Sequence, residues 1–406
     1  MEILADIGGR PGIDCRGFCA YCYFRGAKDV PPFGCKHCMP FQKGCDYCSR
    51  SVKEQYPGFK PLPLVVQDVG QTIYFGKGID KITISGGGDA SCYPDLNRLV
   101  GILSQHGLPL HLGYTSGKGF DDTSSAEILL KNGVSEVSFT VFATDPGLRR
   151  KYMSERNPEV SLRILRELSG SCDVYAAAVI LPGVNDGEVL ERTCSDLEDM
   201  GVKGLILMRF ANYKDQGLIL GNAPIIEGAG TQSIEEFAKM VKRIGKAYKF
   251  RVTGTPLYDT FAGSPFAIIK NKKALSRLPA ARKRATVITG RAAAPMLSDI
   301  FSKLGGSVNV VAAEKDIGCL ITIEDAEKLE LDRLAPTVIF PGRAFVHDGE
   351  IKKVLSRDGV DRLVRRGPDR LTVDGEMSIS LTKKEILDFE VAAFTELISL
   401  VNLLGV

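Results

Sequence analysis

Seven of the eleven cysteines fall between Cys15 and Cys48, and this crowding constrains the fold more than any other feature of the 406-residue chain. In a reducing compartment, clustered thiols serve as metal or cluster ligands, because glutathione and thioredoxin keep structural disulfides from persisting. The seven divide into two sets. Cys15, Cys19 and Cys22 give C-x3-C-x2-C on GGRPGID-C, the Gly-rich exit of an expected first strand. Cys35-x2-Cys38 and Cys45-x2-Cys48 form two knuckles separated by six residues, while Cys92, Cys172, Cys194 and Cys319 stand singly.

The two sets imply different chemistry. Three thiolates on one loop can hold three irons of a 4Fe-4S cluster and leave the fourth iron without a protein ligand, unlike the four-cysteine complement of electron-transfer clusters. An open iron is a place for a small molecule to coordinate. Four soft thiolates at the knuckle spacing instead make a closed tetrahedral site for a single iron or zinc ion, and an auxiliary 4Fe-4S cluster also takes four cysteines. Such a closed site would clip a long insertion between the first strand and the first helix. A three-cysteine zinc site would need a histidine nearby. Of the four histidines only His37 qualifies, and it lies between knuckle ligands.

Around these loops the chain alternates strand-like apolar runs with helical-period segments. Strands are expected at Glu2 to Ile7, Lys81 to Ser85, Pro109 to Thr115, Val134 to Phe142, Val174 to Leu181 and Gly204 to Phe210. Helices are expected near Leu64 to Tyr74, Pro94 to His106, Ser124 to Asn132, Glu159 to Leu168, Gly187 to Met200 and Ser233 to Lys249. Six strand-helix repeats predict an α/β fold: a parallel sheet with helices outside, open or as a partial barrel. Gly263 to Arg284 reads as a linker. Beyond it, strands at Ala285 to Thr289, Val308 to Val311, Cys319 to Ile323 and Thr337 to Phe340 precede a long helix from Lys383 to about Leu404. No apolar stretch approaches the roughly 20 residues of a spanning helix, and no secretory signal is readable at the start, so a cytoplasmic location is expected. A net charge of +3, with the single dense basic run Arg282-Lys283-Arg284, argues against dedicated nucleic-acid binding.

The three-cysteine motif, with the aromatic Tyr21 immediately before Cys22, resembles that of the radical S-adenosylmethionine (SAM) superfamily. The resemblance implies a partial (βα)6 barrel whose open iron binds SAM and reduces it to a 5′-deoxyadenosyl radical. Further matches follow. Ser85, Gly86, Gly87, Gly88 and Asp89 stand where the superfamily has its Gly-rich contact to the SAM amino group, and small residues let backbone carbonyls approach a ligand. Thr140 closes the fourth strand, where polar SAM contacts are common, and Asn185 lies in an LPGVND segment like the one closing the superfamily's fifth strand. Tyr114, ending the third strand, is the candidate catalytic residue, placed to line the SAM pocket or ligate the open iron.

The whole run Asp6 to Cys22, with Pro31 to Cys35 and both knuckles, is similar to the methanogenesis marker protein ten family, the cobalamin-dependent radical SAM methyltransferases of methanogenic archaea. That resemblance implies methylation of the δ-carbon of an arginine in the alpha subunit of methyl-coenzyme M reductase, with an unidentified electron donor. It divides the chain into a barrel at 1–258, carrying the four-cysteine loop at 31–50, a linker at 259–284 and a cobalamin-binding domain at 285–406. The D-x-H-x-x-G motif of many cobalamin domains is missing, since His347 is followed by Asp348-Gly349. Cobalamin would therefore be held without a histidine ligand, and Leu320 is the candidate for the lower side of cobalt. The rival reading is a cobalamin-independent, peptide-modifying radical SAM enzyme with an auxiliary cluster.

Overall fold

The computed structural model describes residues 2–27, 58–256, 258–263, 266–372 and 379–406. The knuckle cysteines Cys35, Cys38, Cys45 and Cys48, together with His37, lie outside the described residues. Seven parallel strands follow one another in chain order: β1 (Glu2–Asp6), β2 (Lys81–Ser85), β3 (Leu110–Thr115), β4 (Val134–Thr140), β5 (Asp173–Ile180), β6 (Gly204–Arg209) and β7 (Arg251–Thr255). The short β8 (Tyr258–Asp259) pairs antiparallel with β7. β1 and β8 are the two edges of this sheet, so the barrel is partial. The sequence pattern had indicated six strands. β7, RVTGT, escapes it because five residues with a charged start and a glycine carry no apolar run, and the strand is set by pairing with Gly204 to Met208 of β6.

Parallel neighbours require a crossover between them. Helices α1 (Leu62–Phe75), α2 (Leu96–Leu103), α3 (Ser124–Lys131), α4 (Pro146–Met153), α5 (Pro158–Ser169), α6 (Gly187–Met200) and α7 (Ile234–Ala247) lie in these crossovers. α7 illustrates the local rules. Ser233 and Glu236 close a capping box, each side chain bonding the other's backbone N–H, and Phe237, Met240, Val241 and Ile244 then recur at helical spacing and are buried. The outer face of the sheet meets these helices, α4 excepted, in one core that includes Ile82, Leu112, Phe139, Ala178 and Leu207.

The inner face is polar on the β1 to β4 side. His111 bonds Thr83 at 3.1 Å and Ser138 at 2.9 Å, and Lys81 pairs with Glu136 at 2.9 Å. The hydrogen bond to His111 holds the Glu2 carboxyl down at about 2. On the β5 and β6 side the same face is apolar, with Ala177 and Ile206 packed against Ile379 from far along the chain.

The second sheet runs β10–β9–β11–β12, all parallel, from β9 (Ala285–Thr289), β10 (Val308–Ala312), β11 (Thr337–Phe340) and β12 (Leu363–Arg366). The expected strand Cys319 to Ile323 is instead a 3-10 turn (Gly318–Leu320) followed by the helix Ile323–Glu327. A short apolar run does not distinguish strand from helix, and this one lies on the crossover from β10 back to β11. α8 is Lys272–Leu275, α9 Ala294–Lys303, α10 the Ile323–Glu327 helix, α11 Asp348–Leu355 and α12 Lys383–Leu404. One core, around Phe301, Phe394 and Val401, covers the first face of this sheet, and a second, around Val338, Phe340 and Leu355, covers the other.

The stretch read as a linker is packed, with Ile268, Leu278 and Ala281 buried in the first of these cores. The two sheets are also tied to one another. Arg209 of β6 pairs with Asp316, Arg291 bridges Asp316 at 3.0 Å and Asp215 at 2.7 Å, and Arg251 donates to the carbonyls of Ile379 and Leu381. Among the described residues no helix is long and apolar enough to cross a membrane.

Candidate active site

The loop leaving β1 turns tightly. Gly8, Gly9, Gly12 and Gly17 all take positive φ, conformations that glycine adopts without a Cβ clash. The Gly17 N–H closes back on the Gly12 carbonyl at 2.9 Å, and the Gly12 N–H donates to Cys15 Sγ at 3.3 Å. The loop is anchored from α4: the Ala20 N–H donates to the Tyr152 carbonyl at 2.7 Å, and Ser154 Oγ donates to the Phe18 carbonyl at 2.7 Å. Cys15, Cys19 and Cys22 are free thiols on this loop. Burial pushes Cys15 up to about 11, with the Asp89 carboxylate adding to the effect. Burial likewise pushes Cys22 up to about 12, and Cys19 and Cys15 lie close enough to contribute. Among the described residues no three His, Cys, Asp or Glu side chains converge on a single metal ion. A cubane cluster, with a separate iron under each thiolate, uses a wider spread.

Ser85 ends β2 on the inner face, and its carbonyl accepts from the Ile7 N–H at 2.9 Å. The glycines after it press backbone to backbone against the β1 exit, where the N–H groups of Gly87 and Gly88 donate to the Gly8 carbonyl at 2.9 and 3.2 Å. A Cβ on Gly88 would stand 2.9 Å from the Phe59 ring and 3.1 Å from the Asp14 carbonyl. Glycine is thus required here by loop-on-loop packing. Asp89 is buried and occupied: it accepts from the Ser91 N–H (2.9 Å) and Oγ (2.6 Å), from Thr115 Oγ1 (3.0 Å), and from the Ser116 N–H (2.9 Å) and Oγ. Its carboxylate therefore holds the β2 and β3 exits together.

Tyr114 stands where β3 loses register against β4, with φ 25 and 39% exposure. Positive φ in a tyrosine costs on the order of 1–3 kcal/mol, and such strain concentrates at functional sites. Thr140 shares the inner face of β4 with Ser138 and Glu136. Asn185 is fully buried. Its amide donates to the carbonyls of Phe142 (2.9 Å) and Val179 (2.8 Å) and accepts from the Leu181 N–H (2.7 Å), so it brackets the β4 and β5 exits. Tyr21 stacks on Phe142 with ring centroids 4.7 Å apart.

Residues 11–192 match the Radical SAM superfamily. This span is similar to a radical SAM domain. No curated protein sequence matches the chain significantly. Among solved structures, SuiB of Streptococcus suis bound to precursor peptide SuiA is 13% identical, over 61% of this chain and 44% of that one, with a TM-score of 0.40. Coproporphyrinogen III oxidase (HemN) from Escherichia coli, a radical SAM enzyme, is 13% identical over 60% and 52%, with a TM-score of 0.39. The radical SAM methyltransferase TsrM from Kitasatospora setae is 14% identical over 51% and 35%, with a TM-score of 0.33. The chain spans less than half the length of the SuiB chains it matches. With every TM-score below 0.5, these likenesses carry no argument about activity.

A radical SAM domain implies an enzyme with a 4Fe-4S cluster and SAM, and the donor set on the β1 exit fits that cluster. Two contributors had no signal in the spacing of the motifs. Arg149 of α4, wholly buried, pairs with Glu155 at 2.6 Å and donates to the carbonyls of Val141 and Ser116, fixing the loops under Phe142. Lys118, after β3, reaches the cysteine loop itself. Cys92, read as a scattered cysteine, lies close enough to Cys15 and Asp89 to feel their charges, and burial pushes its thiol up to about 12.

Two cavities reach the first sheet, both at Thr255 of β7. One, of 360 Å³, lies outside the C-terminal ends of β9 and β11 and is lined by Thr289, Gly318, Leu320, Pro341 and Gly342. β9 and β11 lead to opposite sides of their sheet, which is the switch point where open α/β sheets bind ligands. The second, of 290 Å³, lies between Tyr21, Cys22, Met208 and Gln216. Thr255, Pro256, Ile317 and Leu320 line both. Leu320, on its 3-10 turn rather than a strand, thus stands between the second sheet and the cluster loop. His347 is not among the residues lining either cavity. It caps α11, accepting from the Gly349 N–H at 3.1 Å.

Proposed function

We propose that this chain is a cobalamin-dependent radical SAM methyltransferase of the methanogenesis marker protein ten type, which C-methylates the δ-carbon of an arginine in the methyl-coenzyme M reductase alpha subunit. The observation that carries the reading is the cavity at the switch point of the second sheet, which shares Leu320 and Thr255 with the cavity at the cluster loop. Its walls are mostly apolar and include the glycines Gly318 and Gly342 and Leu320, the residues that would pack against a bound cobalamin.

An arginine Cδ–H is not acidic, so no general base removes it, and a polar methyl transfer would go to nitrogen. When bound, the cluster supplies the electron that cleaves one SAM, and cobalamin relays a methyl group from a second SAM to the substrate carbon. The protein's own part is positioning. Cys15, Cys19 and Cys22 hold the cluster, and backbone atoms of Ser85 to Gly88 receive the SAM amino group. Tyr21, stacked on Phe142, lines the cavity beside Cys22, Tyr114 would line the SAM pocket, and Thr255 with Pro256 lines both cavities. The knuckle cysteines hold one further iron or zinc ion, the electron donor is a separate protein or small molecule, and the work is done in the cytoplasm.

The test is a turnover assay with anaerobically reconstituted protein, an arginine-containing peptide and SAM deuterated at its methyl group. Three deuterons should appear on the arginine side-chain carbon. 5′-Deoxyadenosine and S-adenosylhomocysteine should form in about equal amounts after uncoupled cleavage is subtracted, because radical generation and methyl donation each consume one SAM. Label on a guanidinium nitrogen, or methylation by protein stripped of cobalamin, would sink the proposal and favour the cobalamin-independent peptide-modifying reading.

A further inference from the structure

Lys118 lies in the turn that follows β3, with 8% of its surface exposed. Its ammonium donates to the Gly17 carbonyl at 3.0 Å and to Cys19 Sγ at 3.6 Å. The backbone of the same residue is held to the same loop, since Arg16 donates to the Lys118 carbonyl at 3.0 Å while pairing with Asp121. Among the described residues no carboxylate lies within ion-pair distance of this ammonium. A buried cation without a counter-charge is costly, and proteins retain such groups where something bound supplies the missing charge. The cluster that Cys15, Cys19 and Cys22 would hold is such a group. Three thiolates make it an anion, and one-electron reduction adds another negative charge beside the ammonium.

We propose that Lys118 is a positioning residue that donates a charge-assisted hydrogen bond to the Cys19 thiolate and thereby raises the reduction potential of the radical SAM cluster. The proposal rests on the three-cysteine cluster and is independent of cobalamin or the methyl acceptor. Hydrogen bonds to cysteine sulfur and nearby net charge are among the levers that set cluster potentials. The step concerned is simple: one electron from an external reductant enters the cluster.

The experiment is a dithionite redox titration, read by electron paramagnetic resonance, of the full chain reconstituted anaerobically with iron and sulfide. Lys118→Met should make reduction at least tenfold less favourable, a shift of about 59 mV to more negative potential for one electron. Lys118→Gln, which keeps an N–H donor without the charge, should fall between, and Lys118→Arg should stay near the native value. Lys131→Met, removing an exposed positive charge on α3, is the control and should not shift the potential. An intact cluster with unchanged potential in Lys118→Met would overturn the proposal, as would an equal shift in the control. If all three Lys118 variants keep native circular dichroism but hold no cluster, the lysine serves assembly and the tuning role is refuted. A native protein that binds no cluster would instead refute the reading on which the proposal rests.

Discussion

Replacing Arg149 with methionine removes the one cation in the most deeply buried polar node of the first sheet. The side chains of Arg149 and Glu155 are 0% and 1% exposed, with Nε and Oε2 2.6 Å apart. The guanidinium also donates to the Ser116 carbonyl at 2.9 Å, to Ser161 Oγ at 3.3 Å and to the Val141 carbonyl. In Arg149→Met the Glu155 carboxylate keeps only the Ser161 hydroxyl, and two buried carbonyls lose their donor. Breaking a buried pair from one side costs about 3–5 kcal/mol, because the surviving charge is left uncompensated. At about 2–4 °C per kcal/mol for a unit of this size, the barrel should melt roughly 6–20 °C lower. The chain contains no tryptophan, so the assay is calorimetry with far-ultraviolet circular dichroism. The discriminating measurement is the double variant Arg149→Met/Glu155→Leu, which removes the stranded charge and should recover much of the loss. A single variant within about 1 kcal/mol of native, the range of an exposed pair, would refute the buried-charge reasoning, and so would a double variant less stable than the single one. SAM cleavage should fall in parallel, because the Val141 carbonyl is the anchor beneath the Phe142 and Tyr21 stack.

Alanine at Cys15, Cys19 or Cys22 should abolish SAM cleavage, and anaerobic metal analysis of the native chain should find about five metal atoms, four in the cluster and one in the knuckles. Eight irons with eight sulfides would mean a second cluster. Burial lifts the Cys15 and Cys22 thiols from 9.0 to about 11 and about 12, so the folded metal-free protein keeps protons that the unfolded chain releases. Its stability should therefore decline as pH rises above about 9 towards 12. Metal loading, which requires thiolates, should release protons, measurable with an indicator dye. Burial likewise raises Glu390 from 4.5 to about 7, so stability of the second unit should be full below pH 4.5 and fall as pH passes through 7. Melting curves across that range should lose this slope in Glu390→Gln, and an unchanged slope would assign it elsewhere. Leu320→Asp should reduce cobalamin retention at least tenfold while iron content stays native. Equal retention would remove Leu320 from the cofactor site.

By itself, the sequence determined the chemistry of the first loop and the parallel character of the first sheet. Cysteine spacing is local, and a thiolate triad within eight residues needs no tertiary information to be recognised. The same holds for β2, β9 and β11, whose ends match the apolar runs residue for residue. Only the tertiary structure decided what depends on residues far apart in the chain. β7 exists because β6 offers it an edge, and Cys319 to Ile323 turns rather than extends because it lies on a crossover, not between paired neighbours. Asp89 and Asn185, singled out by their motifs, bond the backbone of neighbouring strand exits, since buried polar groups bond to whatever donors and acceptors the fold brings near them. Lys118 lies 99 residues from Cys19 and carries no motif. Its meaning comes entirely from where the end of β3 meets the end of β1, a juxtaposition set by the order of strands in the sheet and by the packing of small residues where the loops touch.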